Sequence, residues 1–119
     1  IHSDTIPFME ATPRTLLDYE TDDGDCPIRN WLESLDRMTR SRIEARLKRI
    51  AFGNFGDTKS VVNGVSELRL LFGSGYRVYF AQYGDAIVIL LCGGDKGSQD
   101  KDIEMAKLYW SDFKRRNNA

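Results

Sequence analysis

The stretch SELRLLFGSGYRVYF, residues 66–80, carries apolar residues at every second position on both sides of a glycine-bearing break. Such alternation around a Gly-Ser-Gly segment predicts a β-hairpin. If Gly73, Ser74 and Gly75 form a three-residue loop, Phe72 pairs with Tyr76, and pairing outward sets Arg69 opposite Tyr79 with Arg77 as a diagonal neighbour. Leu68, Leu70, Phe72, Tyr76, Val78 and Phe80 then share one face, expected to be core. Glu67, Arg69, Leu71, Arg77, Tyr79 and Ala81 share the other, expected to be open. Two arginines near the middle of an apolar hairpin need an anion or a carboxylate between them, and they set the functional question.

Working outward, a third strand follows at 86–93, so that strands at 65–72, 75–83 and 86–93 form an antiparallel meander. Upstream, RTLLDYET (14–21) reads as a first strand closed by an Asp/Gly turn. Ile28, Trp31, Leu32 and Leu35 make one helical stripe behind Pro27, predicting a helix at 26–36. Ile43, Leu47 and Ile50 make a second at 39–52, capped by Thr39 or Ser41 and stopped by Gly53. Downstream, Ile103, Ala106, Trp110 and Phe113 mark a C-terminal helix. The expectation is an α+β fold in the order β-α-α-β-β-β-α: an antiparallel sheet of about four strands, an N-terminal helical hairpin and a C-terminal helix.

A chain of 119 residues with 41% hydrophobic and 29% charged content fits one domain. Residues 1–8 are expected to be a segment added for expression or a disordered lead, and 9–119 the domain. The longest apolar run, AIVILLC at 86–92, is far short of a membrane span, and no apolar leader opens the chain, so the expected compartment is the cytoplasm. Cys26 and Cys92 stand far apart without a CxxC spacing, and the one histidine is His2. No metal or cofactor is expected, because Asp95, Asp100 and Asp102 lack the spacing of a calcium loop.

The formal net charge is −1, which argues against a protein that merely coats nucleic acid. The charge is uneven, however: RMTRSRIEARLKR (37–49) holds six basic residues against one Glu. Arg37, Arg40, Arg42, Arg46, Lys48 and Arg49 are therefore candidate RNA- or ribosome-binding residues, with Lys59 and Lys101 beside them. A solvated helix face is the plainer reading of such a run. For Arg69 and Arg77 the plainer reading is an ion pair of Glu67 with Arg69, the arginine stems covered by Tyr79. The third strand also runs into GGDKGSQDK, which brings Lys96 and Lys101 to one end of the sheet beside two glycines that would let a ligand approach. Arginines, a lysine and a tyrosine gathered without histidine suit phosphodiester cleavage by a ribose 2′-hydroxyl, where bidentate cations stabilise the charge growing on the phosphate. Acid-base duty would fall to Lys, Tyr, Asp, Glu or Arg, and cationic surroundings would lower the pKa of Lys96 or Tyr79.

Taken in order, ELR, GYRVYF and LLCGGDK within residues 14–114 resemble the RelE/ParE toxin superfamily, in particular its HigB-like addiction-module killer proteins. The resemblance implies a RelE-like fold and a type II toxin: a ribosome-dependent, metal-independent endoribonuclease that cleaves mRNA. It implies a cognate antitoxin, a small helix-turn-helix protein, as partner, together with the ribosome and mRNA and no membrane. By motif position Arg69, Arg77 and Lys96 match the basic residues such toxins place around the scissile phosphate, and Tyr79 completes the candidate catalytic set. Two alternatives stay open: a ParE-like inhibitor of DNA gyrase on the same fold, and an inactive module that only binds its antitoxin.

Overall fold

A computed structural model describes residues 13–117; the segment 1–8, with His2, lies outside them. In chain order the elements are β1 (Thr15–Asp18), α1 (Pro27–Glu33), α2 (Arg37–Ala51), β2 (Thr58–Val62), β3 (Val65–Leu70), β4 (Tyr76–Tyr83), β5 (Ile87–Gly94), a 3₁₀ turn (Lys96–Ser98) and α3 (Gln99–Asn117). The class is α+β, and the strands form one open sheet in the order β1-β5-β4-β3-β2. No helix among the described residues is long and apolar enough to cross a membrane.

The sheet has five strands rather than about four, and it is mixed. β1 runs parallel to β5, Thr15 beside Ile87 and Asp18 beside Leu90, while the other pairs are antiparallel. The additional strand is β2, joined to β3 through Asn63 and Gly64, both at positive φ. Asn-Gly suits a tight hairpin because these residues tolerate that conformation. Gly64 is also wanted for space, since a Cβ there would sit 2.9 Å from the Trp110 indole nitrogen.

Helices cover both faces. Against one, Ile28 and Leu32 of α1 and Ile43, Leu47 and Ile50 of α2 pack on Leu68, Leu70, Val78, Phe80, Val88 and Leu90. The face assigned to Leu68, Leu70, Val78 and Phe80 from the alternation is therefore the helix-facing core. The second helix starts earlier than its sequence reading, because Asp36 is its N-cap: the Asp36 carboxylate accepts hydrogen bonds from the Thr39 amide at 3.1 Å and the Thr39 hydroxyl at 2.6 Å.

The opposite face is not open. Ala106 and Trp110 of α3 cover it, packing with Val65, Tyr79, Ala81, Ile89 and Leu91, so that Glu67, Tyr79 and Ala81 are fully buried. The hairpin register also differs from the expected one. Leu70, not Phe72, pairs with Tyr76, which sets Arg69 directly opposite Arg77 and Glu67 opposite Tyr79. Phe72 leaves the ladder to pack on Tyr76, ring centroids 5.6 Å apart, and to lie under the Arg42 guanidinium. A slip of two residues keeps every side chain on its expected face, which is why the core survives the wrong register.

Candidate functional site

Arg69 and Arg77 are cross-strand partners, yet each guanidinium has a carboxylate of its own. Arg69 Nη2 lies 3.2 Å from Asp57 Oδ1, and the Arg69 amide donates to the Asp57 carbonyl at 3.0 Å. Both side chains of that pair are about two-fifths exposed. Arg77 turns to the other flank, where its Nε lies 3.4 Å from Glu67 Oε2 and its Nη1 donates to the Gly75 carbonyl at 2.8 Å. The Arg77 side chain is 13% exposed and that of Glu67 not at all. The ion pair anticipated between Glu67 and Arg69 is instead a pair between Glu67 and Arg77, which the observed register makes diagonal neighbours.

Tyr79 is buried, and its hydroxyl donates to Glu67 Oε2 at 3.0 Å. Burial, followed by the Glu67 carboxylate, pushes the Tyr79 pKa well above that of a free phenol. This corrects the expectation that cationic surroundings lower it. A phenol so placed is an inward hydrogen-bond donor to Glu67. Gln99 Nε2, from the first residue of α3, donates to the same Oε2 at 2.9 Å, while Glu67 Oε1 is buried without a hydrogen-bond partner.

Lys96 is exposed on the 3₁₀ turn, whose N-cap Asp95 accepts from the amides of Gly97 at 2.9 Å and Ser98 at 3.2 Å. The Lys96 amide meets the Ser74 carbonyl at 3.5 Å. A Cβ built on Gly75 would lie 3.4 Å from Arg77 Nη1 and 3.5 Å from the Lys96 Cβ, so these two residues flank Gly75 at one end of the sheet. The pair Gly93–Gly94 admits protein rather than ligand. Both are β5 residues; a side chain on Gly93 would strike the Trp31 ring, and one on Gly94 would strike Asp102 and Ser98.

The basic helix divides. Arg42, Arg46 and Arg49, spaced at i, i+4 and i+7, line a cleft of about 490 Å³ with Asn54, Asp57, Arg69 and Phe72. Arg46 donates from Nη2 to the Phe55 carbonyl at 3.2 Å, and burial holds its pKa below the usual arginine value. Asp57 is the lone acid among these lining residues, so the cleft is strongly cationic. Lys48 instead lines a groove of about 740 Å³ against β1, with Leu16, Leu17, Arg29 and Glu44. Arg37 shares the Lys48 stripe by helical spacing, and Arg40 is half-buried on the core-facing stripe. Lys59 is exposed opposite Glu67 on β2, and Lys101 is exposed in the first turn of α3.

Of the residues singled out from sequence, Arg77 and Lys96 flank Gly75, and Arg69, across the strand from Arg77, lines the Arg42–Arg46–Arg49 cleft on the other flank, whereas Lys48 and Arg37 lie away from both. Asp57 and Gln99 were missed. Glu67 was read only as the partner of Arg69. An acid in mid-strand, two residues after Val65 on the same strand face, was the available signal for it. Among the described residues, no group of three or more His, Cys, Asp or Glu side chains is placed to hold a metal ion.

No family model matches the chain. An uncharacterized protein of Haemophilus influenzae is 55% identical to it over 80 residues, which is 66% of this chain and 81% of that protein.

Proposed function

We propose that this chain, which belongs to the same family as that Haemophilus influenzae protein, is the toxin of a type II toxin-antitoxin pair, a RelE-like ribosome-dependent endoribonuclease of the cytoplasm. The observation that carries the reading is the direct opposition of Arg69 and Arg77, with Lys96 beside Arg77 and a cleft of three further arginines beside Arg69. The backbone of a single RNA strand offers phosphates that such a row of cations would track, and few other ligands would. Arg77 and Lys96 hold the scissile phosphate; Arg69, restrained by Asp57, holds its neighbour; and Arg42, Arg46 and Arg49 carry flanking message or ribosomal RNA.

Cleavage then proceeds by attack of the ribose 2′-hydroxyl on phosphorus, its proton passing to solvent water as the O2′–P bond forms. The P–O5′ bond breaks and the products are a 2′,3′-cyclic phosphate and a 5′-hydroxyl. The guanidinium of Arg77 stabilises the charge gathering on the non-bridging oxygens, a contribution of about 3–4 kcal/mol for one well-placed donor. Lys96 is the exposed proton-bearing group beside it and is the candidate to protonate the leaving 5′-oxygen. Tyr79, facing inward, supports the site through Glu67. An antitoxin, a small helix-turn-helix protein, would neutralise the toxin by covering the same cations with acidic side chains.

The test is cleavage of ribosome-bound mRNA by the wild type and by Lys96→Ala, whose side chain is exposed and whose loss leaves the core alone. Cleavage by the wild type with cyclic-phosphate ends, reduced a hundredfold or more in the variant, is the expected result. Intact message with a well-folded wild type overturns it, and broken DNA with intact message would point to gyrase. Co-expression with the product of the adjacent gene is expected to relieve growth arrest and yield a complex.

A further inference from the structure

A carboxylate buried to zero exposure, with two hydrogen-bond donors and the Arg77 guanidinium converging on one oxygen and the other oxygen unbonded, is a costly arrangement. Replacing a buried ion pair by apolar residues of the same volume is often neutral or stabilising, so folding stability is a weak reason for it. The geometry around it gives a stronger one. The Arg77 guanidinium is planar: its Nη1 donates to the Gly75 carbonyl, and its Nε, buried and without a hydrogen bond, faces Glu67 Oε2 at 3.4 Å as an ion pair, so that the two contacts together fix its plane. Gln99 begins α3 immediately after the turn that carries Lys96, so its bond to Glu67 ties that turn to the same carboxylate. Tyr79 supplies the other hydrogen bond to it, from β4.

We propose that Glu67 is a positioning residue that sets Arg77 directly, and the turn bearing Lys96 through Gln99, in the orientation in which both cations meet one phosphate. The inference rests on the nuclease reading for its substrate but not for its geometry, and it concerns a residue that itself touches no RNA. Glu67→Gln keeps the volume and two acceptor contacts but replaces the charge facing Arg77 Nε with an amide.

The first measurement is single-turnover cleavage of ribosome-bound mRNA by the full chain, wild type against Glu67→Gln. A ten- to hundredfold fall in the cleavage rate at unchanged ribosome affinity is expected. In an Arg77→Ala background, Glu67→Gln is expected to change the rate less than threefold, since a residue acting through Arg77 has nothing left to position. An unchanged rate per folded molecule, or equal losses in both backgrounds, overturns the proposal. Should Glu67→Gln fail to fold, Gln99→Leu and Tyr79→Phe each retain the ion pair and remove one hydrogen bond; a fall of about threefold or more in either supports positioning, and no change in both overturns it.

The second measurement needs no nuclease activity. The Nε–H resonance of Arg77 is followed by NMR as inorganic phosphate is added to the wild type and to Glu67→Gln. A saturable shift in the wild type that is weakened at least tenfold in the variant supports the clamp, even if the wild type leaves mRNA intact, in which case only the nuclease reading falls. Equal shifts in both proteins overturn the clamp whatever the cleavage result. An unmoved wild-type resonance together with intact mRNA overturns both.

Discussion

The two faces of one β-sheet differ in kind. Beneath α1 and α2 the buried side chains are aliphatic or aromatic throughout, from Leu68 and Leu70 to Val88 and Leu90. Beneath α3 an aliphatic and aromatic layer surrounds the buried Glu67 and Tyr79, which with the half-buried Gln99 form a polar knot against Arg77. The first face holds the domain together in a way that many sequences would satisfy. The second gives up some of that stability for orientation, and a polar group buried mid-strand is where the two purposes can be told apart.

The sharpest probe of the contrast uses the two arginines. Arg77→Ala leaves the Glu67 carboxylate buried and unpaired, for which a loss of about 3–5 kcal/mol in unfolding free energy is expected. Arg69→Ala breaks only a half-exposed pair with Asp57 and is expected to cost less than about 1 kcal/mol. Denaturant unfolding of both variants measures the difference; near-equal losses would mean that the two flanks are alike after all.

Next in size is Leu68→Ala on the apolar face, expected to cost about 2–5 kcal/mol through the cavity it leaves. Across the sheet, Tyr79→Phe removes a donor to Glu67 and is expected to cost about 1–3 kcal/mol. The comparison sharpens if Leu68→Ala leaves cleavage per folded molecule unchanged while Tyr79→Phe lowers it.

Alkaline titration sets the buried groups of the α3 face apart in another way. Burial raises the Cys92 pKa to about 12, the Tyr19 pKa to about 12 and that of Tyr79 further. Each group keeps its proton in the folded state after the unfolded chain has lost its own, so its contribution is complete below the unfolded pKa and is lost as pH rises toward the folded value. Stability should therefore fall from about pH 9 to pH 12, by up to about 1.4 kcal/mol per pH unit for each group titrating in the unfolded chain. Tyr79→Phe should flatten the slope above pH 10; an unaltered slope would remove Tyr79 from the account.

The smallest effect belongs to the cleft. Arg49→Ala should weaken ribosome binding several-fold, with a shallower dependence on salt, and leave the rate of bound message unchanged. A change in that rate instead would move the cleft into the chemical site.

The faces of β3 and β4 were legible because alternation survives any even slip of register, and the helical stripes were legible because Ile28, Leu32, Ile43, Leu47 and Ile50 repeat at the helical period. The register itself was not, since whether Phe72 stays in the ladder depends on Arg42 and Tyr76 reaching it from elsewhere. The Asn63–Gly64 hairpin did have a local signal in the dipeptide itself, although β2 before it is short and mostly polar. At the site, the nearness of Arg77 to Lys96 at one end of the sheet followed from the hairpin and the loop after β5. The burial of Tyr79 did not, because the cover comes from α3, and no pattern within β4 announces which face a distant helix will occupy.

The parallel pairing of β1 with β5 carries a consequence for how the chain assembles. Thr15 meets Ile87 across some seventy intervening residues, whereas β2 through β5 are joined in succession by short turns. Closing so long a loop costs entropy that local hairpins avoid. The meander should thus form early and β1 dock last, giving the sheet an edge that opens and recloses without global unfolding. Amide hydrogen exchange would register this as faster exchange at Leu16 and Leu17 than at Val78 and Phe80, and a segment that comes and goes on its own marks the margin of the domain where the surrounding cell can most readily gain a hold.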